Sequence, residues 1–499
     1  MRGWFAAALV GLALGAVQAP AMAQAEKPSD EKAKTETKPD LPPLPEDKTV
    51  DQSAVIGGRT IRYKATVGSL PVRDEDGKKI ADIVYTAYTV PGGDVDRPVT
   101  FAFNGGPGAS SVYLNLGAIG PKHVPFGDAG DSPSDAPVLT DNPNSWLGFT
   151  DLVFIDPVGT GFSRSLEDAE KTKKDFYANE PDIKYLSRIV YDWLVTNKRL
   201  RSPKYVIGES YGGYRAPRIA YELQTQMGVG VKGLVMVSPY LDPAAIGDET
   251  ALSPLPWMIN LPSMAAGQLE REGKLTPAAM ADVEAYTRGQ FVTDFFAGRA
   301  DPVATQRLET KVAALTGLDP KIVDDLDGRI DIGTYLRETR RDEGRIGSVY
   351  DSNVTAWDPF PASADRNSGD PILNALIAPT TSAMVDFVTR VVGWDIDARY
   401  HALSYEVNEA WDRGTPDDKP VADLRRAIAN DPDMAVMIAH GWNDLSCPFF
   451  GSQLLIDQMP SFGMKQRIDL NVYHGGHMFY TRDDSGAAFR QDAEAMYRR

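Results

Sequence analysis

The chain has 499 residues, 42% of them hydrophobic and 24% charged, with a formal net charge of −17. That composition gives a globular protein with room for a large core, and the acidic balance argues against nucleic acid or an anionic membrane surface as a partner. The single cysteine, Cys447, excludes any internal disulfide, so packing has to supply the stability.

In chain order, the first segment reads as an export signal. Residues 1–23 carry a basic Arg2, a short apolar run and the small-residue site Ala21-Met22-Ala23, the pattern of a cleaved secretory signal peptide. The run is too short for a membrane-spanning helix, so no stable membrane insertion is expected after cleavage, and the mature chain is expected in a periplasm or outside the cell. Residues 24–50 are rich in Lys, Glu, Asp and Pro and nearly free of large apolar groups, which predicts a disordered linker.

From Gly58 to Val90, β-branched and aromatic residues alternate around Asp76-Gly77, a hairpin signal. Short apolar runs follow at "PVTFAF", "DLVFIDP", "KYVIG" and "VKGLVMVSP", with helical patterns such as "DIKYLSRIVYDWLVTNKRL" and "YRAPRIAYELQTQM" between some of them. Apolar strands alternating with amphipathic helices predict an α/β protein with a mostly parallel central sheet and helices on both faces. In the middle third, Thr276-Pro277, Asp301-Pro302 and Asp319-Pro320 each set an N-cap residue before a proline, predicting helix starts. Strand character returns at "MAVMIAHGWND" and "QRIDLNVYHGGHM". The expected division is a sheet core of residues 51–244 and 431–499, interrupted by a mostly helical cap insertion at 245–430.

Within "VIGESYGGY", Gly208-Glu209-Ser210-Tyr211-Gly212 fits the G-x-S-x-G pattern, in which a strand turns into a helix within one residue and exposes a nucleophilic serine. A serine hydroxyl needs a base and a group to orient that base, here in the order Ser, acid, His. Of the five histidines, His123 precedes the serine, His401 falls in the insertion and His440 lies within a strand. In "HGGHMFY", His477 follows two glycines that let a loop carry it toward the serine; His474 is the alternative base. Asp444, at the end of "AVMIAHGWND", is the expected orienting acid. The amide of Tyr211 and the glycine-rich loop "FNGGPGASS" (103–111) are the expected oxyanion donors. No metal-binding cluster and no phosphate-binding loop appears in the sequence, so no cofactor is expected.

Together "NGGPGASS", "NPNSW", "DLVFIDPVGTGFS", "GESYGGYRAP", "NDLSC" and "GGHM" resemble the serine carboxypeptidase family. The resemblance implies an α/β-hydrolase fold and the release of C-terminal amino acids from peptides or proteins. Carried over by position, it implies Ser210, Asp444 and His477 as the triad and Gly106 and Tyr211 as oxyanion amides. It also implies Asn104 and Glu209 as the group holding the substrate's terminal carboxylate, with Cys447 and Met478 near the leaving-group pocket. Two departures stand out: Ala109 replaces the family's usual cysteine in the glycine loop, and Ala118 replaces a second glutamate that pairs with the residue at Glu209. Loss of that like-charge partner predicts a less elevated pKa for Glu209. It leaves Lys122 or His123 as possible charges for a terminal carboxylate, and an esterase or acyltransferase as the second functional expectation. A binding protein on an inactive hydrolase scaffold is the third.

Overall fold

The computed structural model of the protein describes residues 41–499 except 93–94, 126–133, 135–137, 242–252, 364–368, 416–419 and 464–466. The expected signal peptide and residues 24–40 of the expected linker lie outside the described residues.

Nine strands of a ten-stranded sheet form its main path: β1 (Lys48–Ile56), β2 (Arg59–Arg73), β3 (Lys79–Thr89), β4 (Val99–Phe103), β5 (Asp151–Ile155), β6 (Lys204–Glu209), β7 (Gly233–Val237), β8 (Ala435–Gly441) and β9 (Ile468–Tyr473). Their order is β1-β2-β3-β5-β4-β6-β7-β8-β9. The first three strands form an antiparallel meander, joined antiparallel to β5. From β5 to β9 every pairing is parallel. This is the α/β-hydrolase arrangement.

The parallel strands are apolar throughout because both faces are covered. Along β7, Leu234 and Met236 enter one hydrophobic cluster while Val235 and Val237 enter the other, as the two-residue period of a strand requires. Helices α1 (Asn179–Thr196) and α2 (Tyr211–Gln226) cover the first face through Trp193, Ile219 and Leu223, and a C-terminal helix (Asp483–Tyr497) covers the other through Phe489, Ala493 and Met496.

The middle third is helical where the proline signals place it. Helices start at Pro277, Pro302 and Pro320, and the side chains of Thr276, Asp301 and Asp319 accept hydrogen bonds from their first turns, caps worth about 1 kcal/mol each. Together with the helix Leu255–Arg271, these elements build their own apolar clusters against Leu445, Phe449 and Phe450, which follow β8. The helical run Pro371–Val392 is long and apolar enough to cross a membrane, yet Leu376, Met384, Phe387 and Val392 pack into the main core.

Two expected boundaries move. The linker was expected to reach residue 50, but β1 begins at Lys48, and Asp47 accepts from the Ser69 amide (3.0 Å) and the Tyr85 hydroxyl (2.8 Å). The strand "KTVDQSAVI" is mostly exposed and buries only Ala54 and Ile56, so its hydrophobic signal is weak. The insertion was expected to run to 430, but the helix Pro420–Asn430 sends Leu424, Ala427 and Ile428 into the cluster beneath the sheet. It belongs with the core.

Candidate active site

The parallel register aligns the strand ends. Phe103 of β4 pairs with Gly208 of β6, Val237 of β7 with both Glu209 and Ala439, and Gly441 of β8 with Tyr473 of β9. Loops leaving the carboxyl ends of parallel strands are where such sheets hold their ligands. Five of these loops, after β4, β6, β7, β8 and β9, meet around a cavity of about 290 Å³.

At the end of β6 the chain reverses into α2 through Ser210, which has φ 60° and ψ −121°. A non-glycine residue at positive φ is strained, and the surroundings enforce it. A Cβ on Gly208 would collide with the Gly212 carbonyl, and one on Gly212 with the Phe103 carbonyl. As the first residue of α2, Tyr211 has an amide with no partner inside the helix. The glycine loop after β4 packs against it so closely that a Cβ on Gly105 would overlap the Tyr211 nitrogen. Gly106 and Tyr211 both line the cavity.

Beneath this turn lies a buried ion pair. Arg215 Nε donates to Asp182 Oδ2 (2.7 Å), with both side chains fully buried, and Arg215 Nη1 donates to the Asn104 carbonyl (2.7 Å). The guanidinium also lies 5.0 Å from the centre of the Tyr211 ring. One pair thereby ties the glycine loop to the turn. Removing one partner of a buried pair strands the other charge, at about 3–5 kcal/mol. Asp182→Ala is therefore expected to lower unfolding stability by about that much in urea titration; a loss under about 1 kcal/mol would contradict this role for the pair.

Asp444 and His477 follow β8 and β9. His477 Nδ1 and Asp444 Oδ2 are 2.8 Å apart, and both residues are buried. Asp444 Oδ1 accepts from the amides of Ser446 (2.8 Å) and Cys447 (3.0 Å). Burial opposes an imidazolium at His477, but the charge and hydrogen bond of Asp444, with Glu209 adding to them, outweigh it and raise the pKa above the ordinary histidine value. Segment 349–352, from the insertion, braces both loops: Val349 O accepts from Leu445 N (3.0 Å), Tyr350 O from His477 N (2.5 Å), and Ser352 N donates to Asn443 O (3.3 Å). Arg482, just past His477, pairs with Asp351 (2.9 Å) and with Glu270 of the insertion's first helix.

Ser210, His477, Cys447 and Met478 all line the cavity. The Ser210 hydroxyl is turned to the Cys447 thiol, whose pKa burial pushes well above its usual value; no bond from it to His477 is formed. His474 is half exposed, its nearest acid being Asp484 at 3.7 Å, and His440 is buried against Ser452 (2.8 Å). Neither lines the cavity.

Asn104 and Glu209 come together as the resemblance implies. Asn104 Nδ2 donates to Glu209 Oε2 (2.9 Å), while Asn104 Oδ1 accepts from the Leu114 amide (2.9 Å). Burial pushes Glu209 up to about 6, against the lowering effects of His477, Tyr480 and Asn104. Burial thus raises Glu209 with no carboxylate at position 118 beside it. Lys122 and His123 do not supply charge to the site: Lys122 pairs with Asp141, and neither residue lines the cavity. Arg413 is the cavity-lining cation instead. It and Leu403 come from a stretch that the sequence assigned only to the insertion, and that stretch docks on the glycine loop through Ala109–Leu403 bridging. Tyr480, whose hydroxyl donates to Glu209 Oε2 (2.8 Å), carries no motif signal beyond its place in "HGGHMFY".

Residues 59–255 match the serine carboxypeptidase family. Pheromone-processing carboxypeptidase KEX1 of Yarrowia lipolytica is 32% identical over 151 residues, 30% of this chain and 23% of that protein. Serine carboxypeptidase S10 family member 1 of Dictyostelium discoideum is 27% identical over 176 residues, 34% and 39% of the two chains. The chain therefore spans well under half the length of these curated relatives. The crystal structure of Kex1(Δ)p, a prohormone-processing carboxypeptidase from Saccharomyces cerevisiae, shares the fold with a TM-score of 0.56 and 18% identity, covering 87% of this chain and 91% of that one.

Proposed function

We propose that this chain, similar to the serine carboxypeptidases over residues 59–255, is an exported serine-type carboxypeptidase that releases C-terminal amino acids from peptides. The observation that carries this reading is the convergence on one cavity of Ser210, the Asp444–His477 pair and the Asn104–Glu209 pair. A rotation about the Ser210 side chain takes its hydroxyl from Cys447 to the imidazole, a bond that often tightens only when substrate is present. Ser210 then attacks the scissile carbonyl while His477 takes its proton. Asp444 stabilises the imidazolium, and the amides of Gly106 and Tyr211 take the developing oxyanion charge. His477 returns the proton to the departing amino acid, and water repeats the sequence on the acyl-enzyme. Asn104 and protonated Glu209 hold the terminal carboxylate, and Cys447 and Met478 border the leaving group. Export rests on the signal pattern of residues 1–23.

The test is a rate comparison between an N-blocked dipeptide with a free carboxylate, its C-terminal amide and a matched ester from pH 4 to 8, with fluorophosphonate labelling of Ser210 alongside. The sign of the pH effect follows from the two groups. His477 works as the neutral base, so kcat climbs as pH rises through its raised pKa. Glu209 works as the acid, so binding of the free carboxylate is lost as pH rises through about 6. The free acid is therefore expected to have the more acidic kcat/KM optimum, and the ester to keep rising toward neutrality. Equal turnover of acid and amide at pH 5 would overturn the exopeptidase reading. Faster turnover of the ester with no preference for the free carboxylate would support the esterase or acyltransferase reading, which Ala118 in place of a second acid favours. Absence of labelling would leave only the binding-protein reading.

A further inference from the structure

The two residues that flank Ser210 send their side chains to different groups. Glu209 joins Asn104 and Tyr480. Tyr211 joins another set: its hydroxyl donates to Asn179 Oδ1, which also accepts from Trp411 Nε1 (3.1 Å), and its ring packs with Val407, Trp411 and Tyr240. Asn179 fixes Arg413 as well, because its Nδ2 donates to the Arg413 carbonyl at 2.7 Å. The main chain at Arg413 is thus pinned to the Tyr211 side, while its side chain is exposed and lines the cavity together with Tyr211 and Tyr240.

This cation is not neutralised. Arg215 and Arg482, the other arginines close to the site, are both paired with carboxylates. Among the described residues the Arg413 guanidinium hydrogen-bonds only to Asn408 Oδ1, at 3.5 Å, and to no carboxylate. So long a bond holds it weakly. Asn408 is itself tied to the glycine loop, donating from Nδ2 to the Pro107 carbonyl (2.9 Å), next to Gly106. The neighbouring Asp412 turns back on its own loop, where Oδ1 accepts from the Gly414 amide (2.9 Å).

We infer that Arg413 is a specificity-determining residue that selects peptides with Asp or Glu immediately before the bond to be cleaved. The inference rests on the proposed peptidase reading, which sets the scissile carbonyl at Ser210 and the terminal carboxylate at Asn104 and Glu209. The departing residue then lies on the Glu209 side, and the residue before the bond lies on the Tyr211 side, where Arg413 stands. A side-chain carboxylate there takes the fork of donors that Asn408 engages through one long bond. Glutamine in its place offers a neutral acceptor, and lysine meets a like charge. The protein's own net charge of −17 opposes the approach of an anionic peptide, so a preference for acidic residues has to come from a local cation and not from the overall field.

The experiment measures binding, so that it does not depend on turnover. In the full chain carrying Ser210→Ala, calorimetry at pH 5.5 gives Kd for N-blocked dipeptides with Glu, Gln or Lys first and Leu second. A glutamate side chain is ionised at that pH. The Glu peptide is expected to bind about tenfold more tightly than the Gln peptide, with Lys weaker than both. The unmutated chain is expected to rank the three in the same order of kcat/KM. Adding Arg413→Gln, an exposed substitution that leaves the packing alone, should bring the ratio of Glu to Gln to about one. Adding Arg413→Glu should put Lys ahead of Glu. A second series, with Leu first and Glu, Gln or Lys second, locates the effect, and its affinities should stay within about threefold of one another. The proposal is overturned by equal binding of the Glu and Gln peptides, by a Glu preference that survives Arg413→Gln, or by a preference that appears in the second series instead. Failure of the peptidase reading would look different: no cleavage and no labelling of the unmutated chain, with the Kd ratios still deciding the role of Arg413.

Discussion

Ser210→Ala is expected to lower kcat on an N-blocked dipeptide by about 10⁶-fold, because in the proposed mechanism its hydroxyl forms the acyl bond and nothing beside it can substitute. The Cys447 thiol is near enough to touch the hydroxyl, but burial keeps it protonated and therefore a poor nucleophile. The residual rate should come from the Gly106 and Tyr211 amides and from substrate binding, about 10³–10⁴ above water. The backbone at residue 210 is held by Gly208, Gly212 and the Val237 carbonyl, which accepts from its amide at 2.9 Å, so the variant should keep its fold and its affinity for peptides. The measurement is kcat at saturating substrate, with circular dichroism confirming structure. A folded variant that keeps more than about 1% of activity would remove Ser210 from the mechanism.

Asp444→Asn should cost about 10⁴-fold in kcat with little change in KM, and the structure gives the reason atom by atom. Oδ1 is held by two backbone donors, Ser446 N and Cys447 N, so the asparagine oxygen must take that place. Its NH2 is then turned to His477 Nδ1. That nitrogen becomes an acceptor, the imidazole proton moves to Nε2, and the base presents a proton to Ser210 where it should present a lone pair. The variant also loses the negative charge that raises His477, so the remaining activity should follow a pH limb displaced to lower pH. A pH–rate profile of wild type and variant on an ester checks both effects. A loss below about tenfold would mean that Asp444 is a loop cap and not the orienting acid.

How much of this was legible before the coordinates depended on whether the signal was local. The G-x-S-x-G turn, the proline-marked helix starts and the apolar strands announce themselves over a few residues, because backbone angle and burial are decided there. Asp444 and His477 could be inferred from chain order and strand ends, and the parallel register supplied the juxtaposition. The environment of Glu209 could not be inferred. Its elevated pKa comes from burial, and its hydrogen-bond partner Tyr480 is 271 positions away in the chain, with no spacing rule linking the two. Arg413 was hidden for the same reason: the stretch around it gains its place only by docking on the glycine loop. β1 was missed because an exposed edge strand can be mostly polar and so resembles a linker.

The bracing of the acid and histidine loops by residues 349–352 bears on how this architecture can be altered. An insertion over a catalytic sheet is often treated as an accessory that can be trimmed or exchanged to retune selectivity. Here three main-chain carbonyls and amides of that accessory splint the loops that carry His477 and Asp444, so under the proposed mechanism a version shortened to the bare sheet would lose catalytic competence along with its specificity. Swaps between relatives should succeed only when the graft is joined outside this splint, leaving residues 349–352 and their Arg482 anchor with the host.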